Sequence, residues 1–251
     1  MTILKINIGG TGGQLGKYTP LPRLGGALYA GYLLGTDYHA SDAFGGSSVD
    51  DLSGNGRSLT ATGGAYDVDH MVANGSNFME APFTDDDLFG LSGCTIITVS
   101  AAVSGVSNIE AGTFSFPADG KRGIALGQSS DAAKPLTSYN FQGGPQVDLN
   151  GGLARSNSVF EFRAATFSPS GGMVYRQRND IATAQTAVTG SGHNILLPQS
   201  VRIGQPNVGS GFDGASKIAA ALFASKALNP IQLDDAYSEM KALMGQFSLV
   251  I

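Results

Sequence analysis

Glycine constrains this chain more than any other residue. Thirty-six of its 251 residues are glycine. Pairs such as Gly25-Gly26, Gly45-Gly46, Gly63-Gly64, Gly143-Gly144, Gly151-Gly152 and Gly171-Gly172 cut the sequence into short alternating or apolar runs. Runs of that length, bounded by turn residues, read as strands joined by tight turns. The expected strands lie at 27–34, 58–62, 76–81, 94–103, 112–117, 122–128, 136–142, 159–167, 172–178, 199–205 and 216–224. In VFEFRAATF, Phe160, Phe162, Ala164 and Thr166 share one face, while Glu161 and Arg163 fall on the other.

One helix stands apart in ALNPIQLDDAYSEMKALMG. Asn229 suits an N-cap, Pro230 the first helical position and Gly245 a stop. Leu233, Tyr237, Met240 and Met244 recur every three to four residues and form one apolar stripe over an expected helix at 230–244. A helix this short is marginal alone, so the stripe is expected to dock on a sheet.

All-β chains of roughly 250 residues commonly fold as one unit, and a core of that size needs no covalent staples. The lone Cys94 sits in the apolar run CTIITVSAAV and reads as a buried, inert thiol. The net charge of -5, with Lys and Arg scattered, gives no footprint for nucleic acid. MTILKINIGGTGG lacks the pattern of a secretory signal, and no apolar run approaches a membrane span. Synthesis as a soluble cytoplasmic polypeptide is the expectation.

Residues 1–26 form a separate segment. Leu4, Ile6 and Ile8 alternate in ILKINI, and GGTGGQLGKYTPLPRLGG comes next. A phosphate-loop reading fails, because Thr11 stands at the first required glycine, Tyr18 follows Lys17, and Pro20 and Pro22 interrupt the helix that must start there. A glycine-tethered arm ending in a strand that adds to another sheet is the stronger reading.

VDDLSGNGRSLTATGG, residues 49–64, raises the question of a ligand site or a corner. Asp51 and Asn55 can bond their own backbone, and Gly54 and Gly56 can take positive φ, so the segment is self-sufficient as a turn.

The order of these segments resembles the laminin-G-like group of concanavalin A-like lectin/glucanase jelly rolls. Asp51, Ser53, Gly54, Gly56, Arg202, Ile203, Gly204, Phe212, Gly214, Ala227 and Leu228 carry the likeness, across about residues 27–247. The family's Tyr-x-Asn-Gly hairpin is replaced by YRQRND, and its tryptophans are absent. The resemblance implies an all-β, two-sheet antiparallel jelly-roll sandwich with one short C-terminal helix, occupying residues 27–251 behind the arm. It also implies Ca²⁺ at a sandwich rim, for which Asp50, Asp51, Asp85, Asp86 and Asp87 are the available hard oxygen donors. An acidic triplet in FTDDDLFG is otherwise a solvated corner.

Glucanases on this fold use carboxylates spaced along one strand to flank the glycosidic bond. None of Glu80, Glu110, Glu161 and Glu239 has an acidic residue two positions on. His39, His70 and His193 lie in separate polar segments and read as surface or turn residues. Neither catalysis nor a cofactor is expected. A glycan platform would rest on Tyr139 or Tyr175, each of which also fits a core position. The resemblance extends to laminin-G-like modules of bacteriophage particles. It implies a virion-associated structural protein with copies of itself and other virion proteins as partners, assembled through Leu4, Ile6 and Ile8. Host-glycan adhesion is the alternative.

Overall fold

The computed structural model describes residues 21–22, 24–39, 47–89, 92–103, 105–115, 123–130, 135–140, 146–149, 154–168, 172–178, 183–188, 199–208 and 211–251. These residues form two antiparallel sheets, with strands numbered along the chain. The first sheet runs β1 (Leu28–Leu33), β14 (Ser216–Ala224), β5 (Cys94–Ala101), β10 (Phe160–Ser168), β11 (Gly172–Arg178) and β12 (Thr183–Val188), and β3 (Met71–Ala73) pairs with the start of β14. The second runs β2 (Thr60–Thr62), β4 (Phe78–Thr84), β13 (Ser200–Ile203), β6 (Asn108–Gly112), β7 (Ala125–Gln128), β8 (Pro135–Asn140) and β9 (Gln146–Leu149). The all-β sandwich expected from sequence is the observed architecture.

Several boundaries differ from expectation. The strand expected at 112–117 lies at Asn108–Gly112, because SNIE pairs with β7 despite its polar letters. The runs MVA, QVDL and TAQTAV also form strands, at β3, β9 and β12. They are too short or too polar to stand out by alternation.

The C-terminal helix, α2 (Pro230–Gly245), is closed by a reciprocal cap: Gln232 N donates to Asn229 Oδ1 and Asn229 N to Gln232 Oε1, each at 3.0 Å. The expected stop is displaced. Gly245 remains helical, and the left-handed turn falls on Ser248 at φ 62°. Leu233, Tyr237, Met240 and Met244 are buried, joined by Ala236 and Leu243, against Ile97, Val99, Phe162, Ala164 and Leu222 of the first sheet. Truncating Met240 to Ala is expected to cost about 2–5 kcal/mol of stability, read by denaturant unfolding.

Docking of α2 sets the direction of β10. Phe162 and Ala164 point outward, beneath the helix, so Glu161 and Arg163 point inward, between the sheets. Both faces of the strand are dry. The inter-sheet space is therefore divided. One part is apolar, built from Tyr32, Ile96, Phe167 and Phe223 against Met79, Phe83, Leu126 and Ile203. There the rings of Phe83 and Phe223 meet edge to face, with centroids 5.6 Å apart. The other part is charged.

Candidate functional site

The charged part lies between β5, β10 and β11 on one side and β6 and β7 on the other. A β-bulge at Ile109/Ala111 turns Glu110 inward from β6. Its Oε2 accepts from Thr98 Oγ1 at 2.8 Å and Ser100 Oγ at 2.7 Å. Its Oε1 accepts from Arg155 at 2.5 Å and also from Arg163. The carboxylate is thereby saturated. Arg163 further donates to Gly127 O and, at 3.1 Å, to Tyr175 Oη. Glu161 Oε2 accepts from Arg155 Nε at 3.2 Å and Gln177 Nε2 at 2.8 Å. Glu110, Glu161 and Arg163 are 0% exposed and Arg155 is 5% exposed.

The two carboxylates are driven in opposite directions. Burial alone would raise Glu110, but Arg163 and Arg155 together with the two hydroxyl donors outweigh it and hold its carboxyl down to about 2. For Glu161 burial prevails, and its carboxyl is raised despite Arg155. Carboxylates split in this way are the signature of an acid and a base. These two are buried between the sheets, where Arg155 ties β6 to β10 and Gln177 ties β11 to Glu161. The two glutamates come from different sheets, and no spacing along the sequence could have paired them.

The corner at residues 49–64 is a turn built around one side chain. Asp51 Oδ1 accepts from Gly31 N at 3.1 Å and Ser53 N at 2.9 Å, and its Oδ2 from Ser53 Oγ at 2.8 Å and Arg57 N at 2.9 Å. Gly54 and Gly56 take φ values of 88° and 74° there. Asp50 accepts from Ser47 N at 2.7 Å. The acidic triplet forms a one-turn helix, α1 (Asp85–Leu88), with Asp86 and Asp87 exposed as expected of a solvated corner. Thr84 and Asp87 cap each other, and Asp85 turns inward. Among the described residues no three His, Cys, Asp or Glu side chains are grouped to hold a metal ion.

Burial raises the Asp85 carboxyl to about 6, against hydrogen bonds from the Gln199 and Asp86 amides and the Thr113 hydroxyl. The folded state thus binds a proton more tightly than the unfolded chain. Stability contributed by that proton is complete below the ordinary aspartate value and is lost as pH rises through about 6. Asp85→Asn is expected to raise stability at pH 7 by about 2–3 kcal/mol and to flatten the slope between about pH 4 and 6, measured by urea titration across pH. Cys94 is buried, and that burial, with Asp85 nearby, pushes its thiol far above the ordinary value.

The remaining site residues separate cleanly. Tyr175 is 0% exposed, its hydroxyl bonded to Arg163 and Gln177, so its ring offers no glycan platform. Tyr139 lies in β8, and its side chain is outside the described residues, as are Leu4, Ile6, Ile8 and His193. His70 departs from the surface reading. It is buried, 2.6 Å from Asp69 Oδ1 through Nδ1, with its ring tilted against Phe160. The residues that carry the family resemblance have structural tasks: Gly204, at φ 92°, brings its Cα against Ala73, where a Cβ would lie 2.2 Å from the alanine methyl. Phe212 covers Phe114, and Leu228 N donates to Thr95 Oγ1.

No family model and no curated protein matches the chain. Solved structures do. A Trypanosoma rangeli sialidase in complex with a difluoro-KDN is similar with a TM-score of 0.59 at 11% identity, covering 87% of this chain and 33% of the sialidase. The binding domain of botulinum neurotoxin DC, in complex with rat synaptotagmin II, gives 0.58 at 12% identity over 88% of this chain and 52% of that domain. The binding domain of Paraclostridial Mosquitocidal Protein 1 gives 0.53 at 13% identity, over 86% and 52%. The chain spans about a third to a half of these proteins, and what it shares with them is the two-sheet sandwich.

Proposed function

We propose that this chain is a non-enzymatic binding and assembly module, a virion-associated structural protein attached through its N-terminal arm to copies of itself or to other virion proteins. One observation carries the non-enzymatic reading: the carboxylates Glu110 and Glu161 are buried and held in hydrogen-bonded ion pairs with Arg155. Residues 1–26 support assembly, since Leu4, Ile6 and Ile8 alternate as a strand does and the glycines after them give it reach. Such a strand finds its hydrogen bonds on another sheet's edge.

Deleting residues 1–26 tests this by light scattering and thermal unfolding. The expected result is loss of oligomerisation or of incorporation into particles, with the melting temperature of the sandwich nearly unchanged. A marked fall in melting temperature with assembly intact would assign the arm to its own sheet.

Host-glycan adhesion is the second reading. The fold it shares with a sialidase solved with a difluoro-KDN ligand favours it. A glycan array with wild type and Tyr139→Ala distinguishes it: signal lost on the substitution supports adhesion through β8.

A further inference from the structure

We propose that the charged part of the interior is a guanidinium-binding site that the chain fills with its own Arg155, and that residues 154–159 are a detachable plug over it.

The acceptors stand on paired strands and the guest does not. All five N–H groups of Arg155 are used: Nε on Glu161, Nη1 on Glu110 and on Gln128 Oε1 at 3.3 Å, and Nη2 on Ser100 O at 2.7 Å and Ser100 Oγ at 3.0 Å. Those acceptors come from β10, β6, β7 and β5, paired strands of both sheets. Arg155 lies outside any strand, and in its segment Ala154, Ser156, Asn157, Ser158 and Val159 are all exposed. Among the described residues, the segment is held beyond Arg155 by Ser158 N on Ala102 O at 3.2 Å, a bridge from Asn157 to Ala102, and Lys217 Nζ on Ser158 Oγ at 3.5 Å. Ser158 is also held at φ 64°, a left-handed conformation unfavourable for a residue with a Cβ.

Arg163 provides the contrast. It is equally buried in the same network, but its backbone is paired with Thr98 on one side and Gln177 on the other. It cannot leave without opening the sheet. Departure of Arg155 would leave Glu110 and Glu161 facing Arg163 alone, an excess of one negative charge among acceptors set for a planar, five-donor cation. The ligand class that fits is a guanidinium group, as on an arginine side chain of another segment. This inference is independent of the assembly role proposed above.

The test uses Arg155→Ala in the full chain with guanidinium chloride at low millimolar concentration, and sodium chloride and urea as controls. The expected result is a lowered melting temperature that guanidinium alone restores in part, rising by about 3–5 °C at ten times its dissociation constant, while the wild type does not rise. No rise, or an equal rise with sodium chloride, overturns the proposal. Should the variant fail to fold, hydrogen exchange at the arginine Nε–H groups of the wild type decides. Exchange at Arg155 at least about tenfold faster than at Arg163, a gap of about 1.4 kcal/mol in opening free energy, supports a detachable plug. Equal exchange at both overturns it.

Discussion

Glu110→Ala is expected to destabilise the protein by about 3–5 kcal/mol, because it strands two buried guanidinium groups without their shared counter-charge. A domain of ordinary stability has about 5–15 kcal/mol in total. The variant should therefore melt on the order of 10 °C lower and accumulate poorly in cells. Glu110→Gln keeps the shape and leaves an oxygen for the arginines, so its loss should be smaller. Acid should mimic the substitution. The Glu110 carboxyl is held below its unfolded value, so its contribution is complete above the ordinary glutamate range and is lost as pH falls towards about 2. Denaturant midpoints of wild type and Glu110→Gln, tracked from pH 6 to 2, should converge at the acid end. Parallel curves would mean that the carboxylate is not held by the arginines.

Asp51→Ala should cost about 2–4 kcal/mol, since three backbone amides and a hydroxyl lose one acceptor group and the Gly31 amide is buried. Asp50→Ala, one residue away, removes a single exposed bond to Ser47 N and should change stability by less than about 1 kcal/mol. Chemical unfolding of the pair measures whether the corner is held by one side chain. Equal losses from both would point instead to a shared role of the two carboxylates.

How far the sequence reveals this molecule depends on the range of the interaction. Local chemistry is legible: the Asn229 cap with Pro230, the stripe on α2, the Asp51 turn, and the limits of β11 and β14 depend on a few neighbouring residues. Alternation in β10 is legible too, but alternation says which side chains share a face and not what covers it. Here the helix takes the face with Phe162 and Ala164, and the second sheet receives Glu161 and Arg163. The charged interior is not legible at all. Glu110 and Glu161 share Arg155 across the sandwich, and Arg155 enters from a polar connection whose other side chains face solvent. His70 departs from its surface reading for a similar reason, since Phe160, its ring partner, lies 90 residues away in the chain.

We propose that this sandwich recognises and assembles but does not turn over substrate. The most direct measurement is release of free sugar from sialosides and β-glucans by the purified chain, run beside Glu110→Gln and Glu161→Gln. No release above buffer is expected for any of the three proteins. Steady release by the wild type, abolished by either substitution while the variant remains folded, would contradict the claim and would mean that the buried carboxylates open to solvent and catalyse.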